Sequence, residues 1–91
     1  MGVKINIDRF FLGDSNTDNV TEVSGATIGE CLHRLIRQFP SVRKELLFDK
    51  RGKLLDYVCI FINGGDAFPE PMARPVKDGD KINIIPVIGG G

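Results

Sequence analysis

Two cysteines and one histidine leave this 91-residue chain little scope for thiol or metal chemistry. Cys31 and Cys59 have no partner at metal-ligand spacing, which excludes a four-thiolate iron–sulfur centre and argues against zinc. Neither sign of charge is in excess, since twelve basic residues balance twelve acidic ones. An electrostatic nucleic-acid binder would carry a basic surplus, so no nucleic-acid partner is expected. Long apolar runs are missing as well, and no signal-peptide pattern opens the sequence, so no membrane association or secretion is expected. Met1-Gly2-Val3-Lys4-Ile5-Asn6 lacks the hydroxyl residue of a myristoylation site. The sequon Asn19-Val20-Thr21 has no meaning without secretion. These absences together point to a cytoplasmic protein.

The length suits one small domain with a single core. Aliphatic and aromatic residues suffice to fill that core without disulfides or a structural metal. No acid–base pair or nucleophile–base pair stands out, so the chain does not read as an enzyme in its own right. His33 falls beside Glu30 and Arg37 on the polar face of a helix, where solvation is expected.

The most informative segment is the end of the sequence. An apolar strand-like run, Ile82-Asn83-Ile84-Ile85, leads through Pro86-Val87-Ile88 into Gly89-Gly90-Gly91. Glycine has no Cβ, so such a thread can lie extended in a channel too narrow for side chains. That form would present a terminal carboxylate to an activating enzyme. The competing reading is a frayed end or a leftover linker. The expected division is a folded unit over residues 1–88 and a flexible glycine tail over residues 89–91.

Along the chain, Val3, Ile5 and Ile7 alternate with polar residues and predict a half-buried strand. A polar stretch, Gly13 to Asn19, precedes a second strand at about Val20 to Val23. Thr27-Ile28-Gly29-Glu30 is a capping-box signature with Thr27 as N-cap and Glu30 at N3. Behind it Ile28, Leu32, Leu35, Ile36 and Phe39 recur at helical spacing, with Cys31 beside them, until Pro40 stops the helix. Ser41 to Phe48 is expected to form a shorter helical piece with Val42, Leu46 and Leu47 inward. Asp49 to Lys53 reads as a polar turn. Tyr57 to Ile62 is the clearest strand, closed by Asn63-Gly64-Gly65. Pro69, Pro71 and Pro75 make residues 66–76 irregular or an edge segment. Lys77-Asp78-Gly79-Asp80 is a tight turn into a last strand, Lys81 to Ile85. This order predicts an α+β fold in which a sheet carries one main helix on one face.

The alternation also assigns faces. Val58, Ile60 and Ile62 belong on the helix side, and Tyr57, Cys59 and Phe61 on the other. Ile82 and Ile84 face in, whereas Ile85 faces out, and Phe10 faces out if the first strand runs that far. Phe10, Phe61 and Ile85, with Cys59 and Tyr57, would then form an apolar docking patch at the root of the tail. The alternative is that the proline-rich segment or an edge loop covers them. Cys31 faces the core and Cys59 the opposite side, so no disulfide between them is expected. Neither is expected to be catalytic.

Gly52-Lys53-Leu54, Tyr57 to Gly64, Val76 to Ile82 and Ile85-Pro86-Val87-Ile88-Gly89-Gly90-Gly91 together resemble the ThiS/MoaD-type ubiquitin-like sulfur carriers. By length the chain is most similar to the small subunit of molybdopterin synthase or to the carrier of cysteine synthesis. Cys59 stands where such relatives often carry asparagine, and Gly64 to Phe68 replaces a more charged turn. The resemblance implies a β-grasp fold, a mixed sheet with the first and last strands central and parallel. It implies that Gly91 is the site of adenylation and thiocarboxylate formation, with Gly90 and Gly89 threading the partner's active site. The partners implied are an adenylating enzyme of the ubiquitin-activating type, which uses ATP, and a sulfur-accepting synthase. No cofactor or metal is expected on the carrier itself. Two other functions stay open, a modifier joined to target lysines through the same tail and a β-grasp interaction module that is never activated.

Overall fold

The computed structural model describes residues 2–13 and 19–87. Its elements are β1 (Val3–Ile7), β2 (Val20–Val23), α1 (Ile28–Gln38), β3 (Val58–Ile62), β4 (Gly65–Asp66) and β5 (Lys81–Pro86), with short 3-10 turns at Arg9–Phe11, Lys44–Leu46 and Pro71–Ala73. The strands form one mixed sheet in the order β2-β1-β5-β3-β4. β1 and β5 pair in parallel, and β2 and β3 flank them antiparallel. This is the β-grasp arrangement, with the first and last strands inside the sheet.

The core follows from the strand alternation. Ile5 lies beside Ile82, which lies opposite Ile62. Ile7, Ile84 and Ile60 form the next rung in the same way. All six are buried, and α1 covers them with Ile28, Cys31, Leu32 and Leu35. β-branched side chains suit such a pleated, fully covered surface.

Both ends of α1 form as its sequence predicts. The Thr27 hydroxyl accepts a hydrogen bond from the Glu30 amide at 3.1 Å. The Glu30 carboxylate accepts one from the Ala26 amide at 3.0 Å, one residue before the N-cap. One orphan donor of the helix and the amide just ahead of its N-cap are thereby satisfied. Phe39 caps the other end by donating its amide to the Leu35 carbonyl. Pro40, which has no N–H to donate, follows.

Several expectations are corrected. The helical piece expected over Ser41 to Phe48 contracts to the 3-10 turn Lys44–Leu46. Val42 and Leu47 do point into the core, while Leu46 is only half-buried. β1 stops at Ile7, because the Asp8 carboxylate accepts from the Phe10 amide at 3.0 Å and turns the chain into a 3-10 turn. β3 starts at Val58 and not Tyr57, and β5 runs one residue further, to Pro86. Gly65–Asp66 is a fifth strand, which the sequence reading folded into the turn and the irregular segment after it. Its signal was Asn63-Gly64, whose φ values of +51° and +84° form the tight hairpin turn that this dipeptide favours.

The proline-rich segment packs against the helix. The Ile28 amide donates to the Arg74 carbonyl at 2.9 Å, and the Val76 amide to the Ala26 carbonyl at 3.0 Å. A Cβ on Gly29 would lie 2.8 Å from the Met72 carbonyl oxygen, so the segment sits directly on the first turn of α1. It therefore lies on the helix side and does not cover the outer face of the sheet.

Candidate functional site

The outer face of the sheet is built by the pairing of β3 and β5. Cys59 lies directly opposite Ile85, and Phe61 opposite Asn83. Directly paired residues share a face, so Cys59, Phe61 and Ile85 converge as the alternation predicts. Ile85 is 37 % exposed, and Cys59 and Phe61 are half-buried. Further along the same face the character changes: Asn6 stands beside Asn83, and Lys4 is flanked by Glu22 and Lys81. The apolar surface is thus concentrated on the β3–β5 side, near the point where the chain leaves the sheet.

That exit point is well defined. The Val87 amide donates to the Tyr57 carbonyl at 2.8 Å, extending the β3–β5 ladder beyond Val58 and Pro86. Val87 is itself exposed. Ile88, Gly89, Gly90 and Gly91 lie outside the described residues. So do Met1 and residues 14–18 of the polar stretch before β2.

Alternation assigns Tyr57 to this side, and Phe10 meets it from a 3-10 turn and not from an extension of β1. Phe10 sits in the 3-10 turn after β1, 40 % exposed, while its neighbour Phe11 is fully buried. The Phe10 ring packs edge-on against Phe11 at 5.2 Å and against Tyr57 at 5.9 Å. Tyr57 is half-buried and packs against the core, with its hydroxyl donating to the Leu46 carbonyl. Tyr57 is therefore a bracket between the Lys44–Leu46 turn and the exit point, and only part of its ring is left for contact.

One exposed aromatic near this site was not among the expected patch residues. The register Phe61 to Asp66 and Ile62 to Gly65 continues with a bond from the Ala67 amide to the Ile60 carbonyl at 3.0 Å. Phe68 comes next, just past that pairing. It is 76 % exposed, more than any other large apolar side chain among the described residues.

The cysteines are both free thiols. Cys31 is buried against α1's neighbours, and burial pushes its pKa up, which disfavours the nucleophilic thiolate. Among the described residues no group of three or more His, Cys, Asp or Glu side chains is placed to hold a metal ion. His33 is exposed, as expected, but its ring also stacks on Phe48 at 5.7 Å. That contact forms one wall of a cleft with Ile36, Lys44 and Leu55. No helix among the described residues is long and apolar enough to cross a membrane.

Comparison with known proteins agrees with this geometry. The sulfur carrier protein CysO of Mycobacterium tuberculosis is 27 % identical over 93 residues, covering all of both chains. The crystal structure of CysO from the same organism superimposes with a TM-score of 0.81 at 25 % identity, covering 96 % of this chain and 100 % of that one. The solution structure of the small archaeal modifier protein 1 from Methanosarcina acetivorans gives a TM-score of 0.78 at 26 % identity, covering 98 % and 95 % of the two chains. The ThiS family model matches residues 11–91, nearly the whole sequence and every strand except β1. The chain belongs to the ThiS family.

Proposed function

We propose that this protein is a sulfur carrier whose Gly91 carboxyl group cycles between carboxylate and thiocarboxylate. The observation that carries the reading is the family match running through residue 91, which takes in Gly89, Gly90 and Gly91 as well as the fold. The likeness to CysO, a protein named as a sulfur carrier, supports it along the full length.

A carboxylate is a poor acyl donor because its leaving group would be an oxide. An adenylating partner of the ubiquitin-activating type would remove that barrier. The Gly91 carboxylate attacks the α-phosphorus of ATP, pyrophosphate leaves, and an acyl-adenylate remains. A sulfur donor then attacks the carbonyl carbon and displaces AMP. The thiocarboxylate hands its sulfur to an accepting synthase in molybdopterin, cysteine or thiamine synthesis. ATP belongs to the partner, and the reading sets the protein in the cytoplasm, where ATP is supplied.

The carrier's own contribution is position. Gly90 and Gly91 thread the partner's active site, with Gly89 as spacer. Phe10, Cys59, Phe61 and Ile85, with the exposed part of Tyr57, hold the body against the partner. The bond from Val87 to the Tyr57 carbonyl supports this division, since it ties the root of the tail to the sheet beside the patch.

A second reading has its own support. The likeness to the small archaeal modifier protein 1 favours joining the activated tail to lysines of target proteins. Intact mass of protein purified from the native host separates the two. A species heavier by one sulfur-for-oxygen exchange, lost when Gly91 is deleted, is expected for the carrier. A ladder of conjugates on an immunoblot is expected for the modifier. If incubation with the host's adenylating enzyme and ATP yields no adenylate, both covalent functions are excluded and an interaction module remains.

A further inference from the structure

The tail sets a limit on where a partner can sit. If Gly91 is the reacting residue, four residues separate its carboxyl group from Val87. At full extension four residues span at most about 14 Å. A partner that encloses the Gly91 carboxyl in a catalytic pocket must therefore press on the body around Val87. A standard interface covers roughly 800 Å² on each side, a patch about 30 Å across.

Strand spacing locates what falls inside that footprint. β4 is the second neighbour of β5, so about 10 Å separates them across the sheet. Ala67 bonds to Ile60 and hence stands level with Ile84, three residues from Val87, or about 10 Å along the strand. Ala67 thus lies roughly 14 Å from the tail's root by these spacings, and Phe68 adjoins it. Phe68 stands exposed just past β4, the edge strand of the sheet that carries Ile85, Cys59 and Phe61.

Phe68 is also held in place. Its amide donates to the Asp66 carboxylate at 2.8 Å. The preceding Ala67 is buried and donates to Ile60. The backbone is clamped on its N-terminal side while the phenyl ring stands in solvent, with no aromatic ring packed on it among the described residues. A rigidly presented aromatic loses little conformational entropy on binding, which is the property of an interface anchor.

We propose that Phe68 is an anchor residue that inserts into an apolar pocket of the adenylating partner and selects that partner, an inference that rests on the tail-activation reading above. The occupant of this edge is the activating enzyme, because the short tether leaves it no room to stand off. A second copy of this chain is the competing occupant.

The test compares full-length wild type with Phe68→Ala and Phe68→Leu, using the adenylating enzyme of the native host. Binding is measured without ATP and adenylation with it, alongside thermal melting and size-exclusion chromatography. Phe68→Ala should raise both Kd and KM at least about tenfold while kcat and Tm stay at wild-type values, and Phe68→Leu should recover part of the loss. Unchanged Kd and KM in Phe68→Ala overturn the proposal. So does a wild-type dimer that the variant abolishes while KM is unaltered, which would assign the edge to a second copy. If wild type binds but forms no adenylate, the activation reading fails, and Kd alone still judges Phe68. No binding of wild type at all would overturn both.

Discussion

The Asn63 side chain donates a hydrogen bond to the Asp80 carboxylate at 3.0 Å, tying the β3–β4 turn to the turn that launches β5. The same Asn63 accepts from the Lys81 amide at 2.9 Å, and Asp80 accepts from the Lys77 amide at 2.9 Å. The Asp80 carbonyl in turn accepts from the Lys4 amide at the start of β1. Three strands are thus pinned together at the end of the sheet away from the tail.

This node makes stability depend on pH in a definite direction. The Asn63 amide, and then the Lys77 amide, favour the ionised form and hold the Asp80 carboxyl below its ordinary pKa. A carboxyl depressed in the folded state contributes stability that is complete above its unfolded pKa, about 3.9. That contribution is lost as pH falls through the folded value. Asp80→Ala should lower Tm at neutral pH and flatten the acid side of the Tm profile measured by calorimetry. Profiles that run parallel for wild type and variant would contradict the assignment.

Helix propensity would recommend Gly29→Ala, since alanine favours a helix interior by about 1 kcal/mol. The contact of the helix with the proline-rich segment reverses the sign. The new Cβ would meet the Met72 carbonyl oxygen at 2.8 Å, a backbone atom that cannot swing aside. Urea denaturation should show a loss of about 1–3 kcal/mol, in the range of overpacked sites. A variant as stable as wild type would mean that the 71–73 turn yields freely.

Ile84 and Ile85 are adjacent in sequence and opposite in role. Ile84 is fully buried between Ile7 and Ile60, whereas Ile85 stands on the outer face beside Cys59. Ile84→Ala should cost about 2–5 kcal/mol of stability. Ile85→Ala should cost under about 1 kcal/mol and instead weaken binding to the adenylating enzyme. Equal losses of stability from the two changes would refute the division of faces.

Gly90→Leu separates tail function from fold. The position lies beyond the last strand, so Tm should stay within a degree or so of wild type. Adenylation by the host enzyme should fall at least about a hundredfold, because a branched side chain cannot follow glycine into a narrow channel. Adenylation at the wild-type rate would remove Gly90 from the threading role.

Much of this was legible in the residues. The capping box at Thr27 and Glu30, the inward sets Val3-Ile5-Ile7 and Ile82-Ile84, and the outward turn of Ile85 all hold. Each depends on the side-chain period of a strand or on hydrogen bonds within one turn, and neighbouring residues suffice to set these. The parallel pairing of β1 with β5 was foreseen through family likeness, since periodicity carries no information on which strands are neighbours.

What could not be read was whatever depends on contacts distant in sequence. Tyr57 is only half-buried and offers part of its ring, because its hydroxyl finds the Leu46 carbonyl. The prolines near residue 70 come to rest under Gly29 because α1 offers them carbonyl and amide partners at its entry. Ala67 is buried at the sheet edge with exposed Phe68 beside it because the Asn63-Gly64 turn brings Ala67 opposite Ile60. Local backbone preference and alternation dictate how each segment folds and which way its side chains turn. Long-range hydrogen bonding and packing, set by no neighbouring residue, choose which segments meet and so which apolar groups stand exposed at the root of the tail.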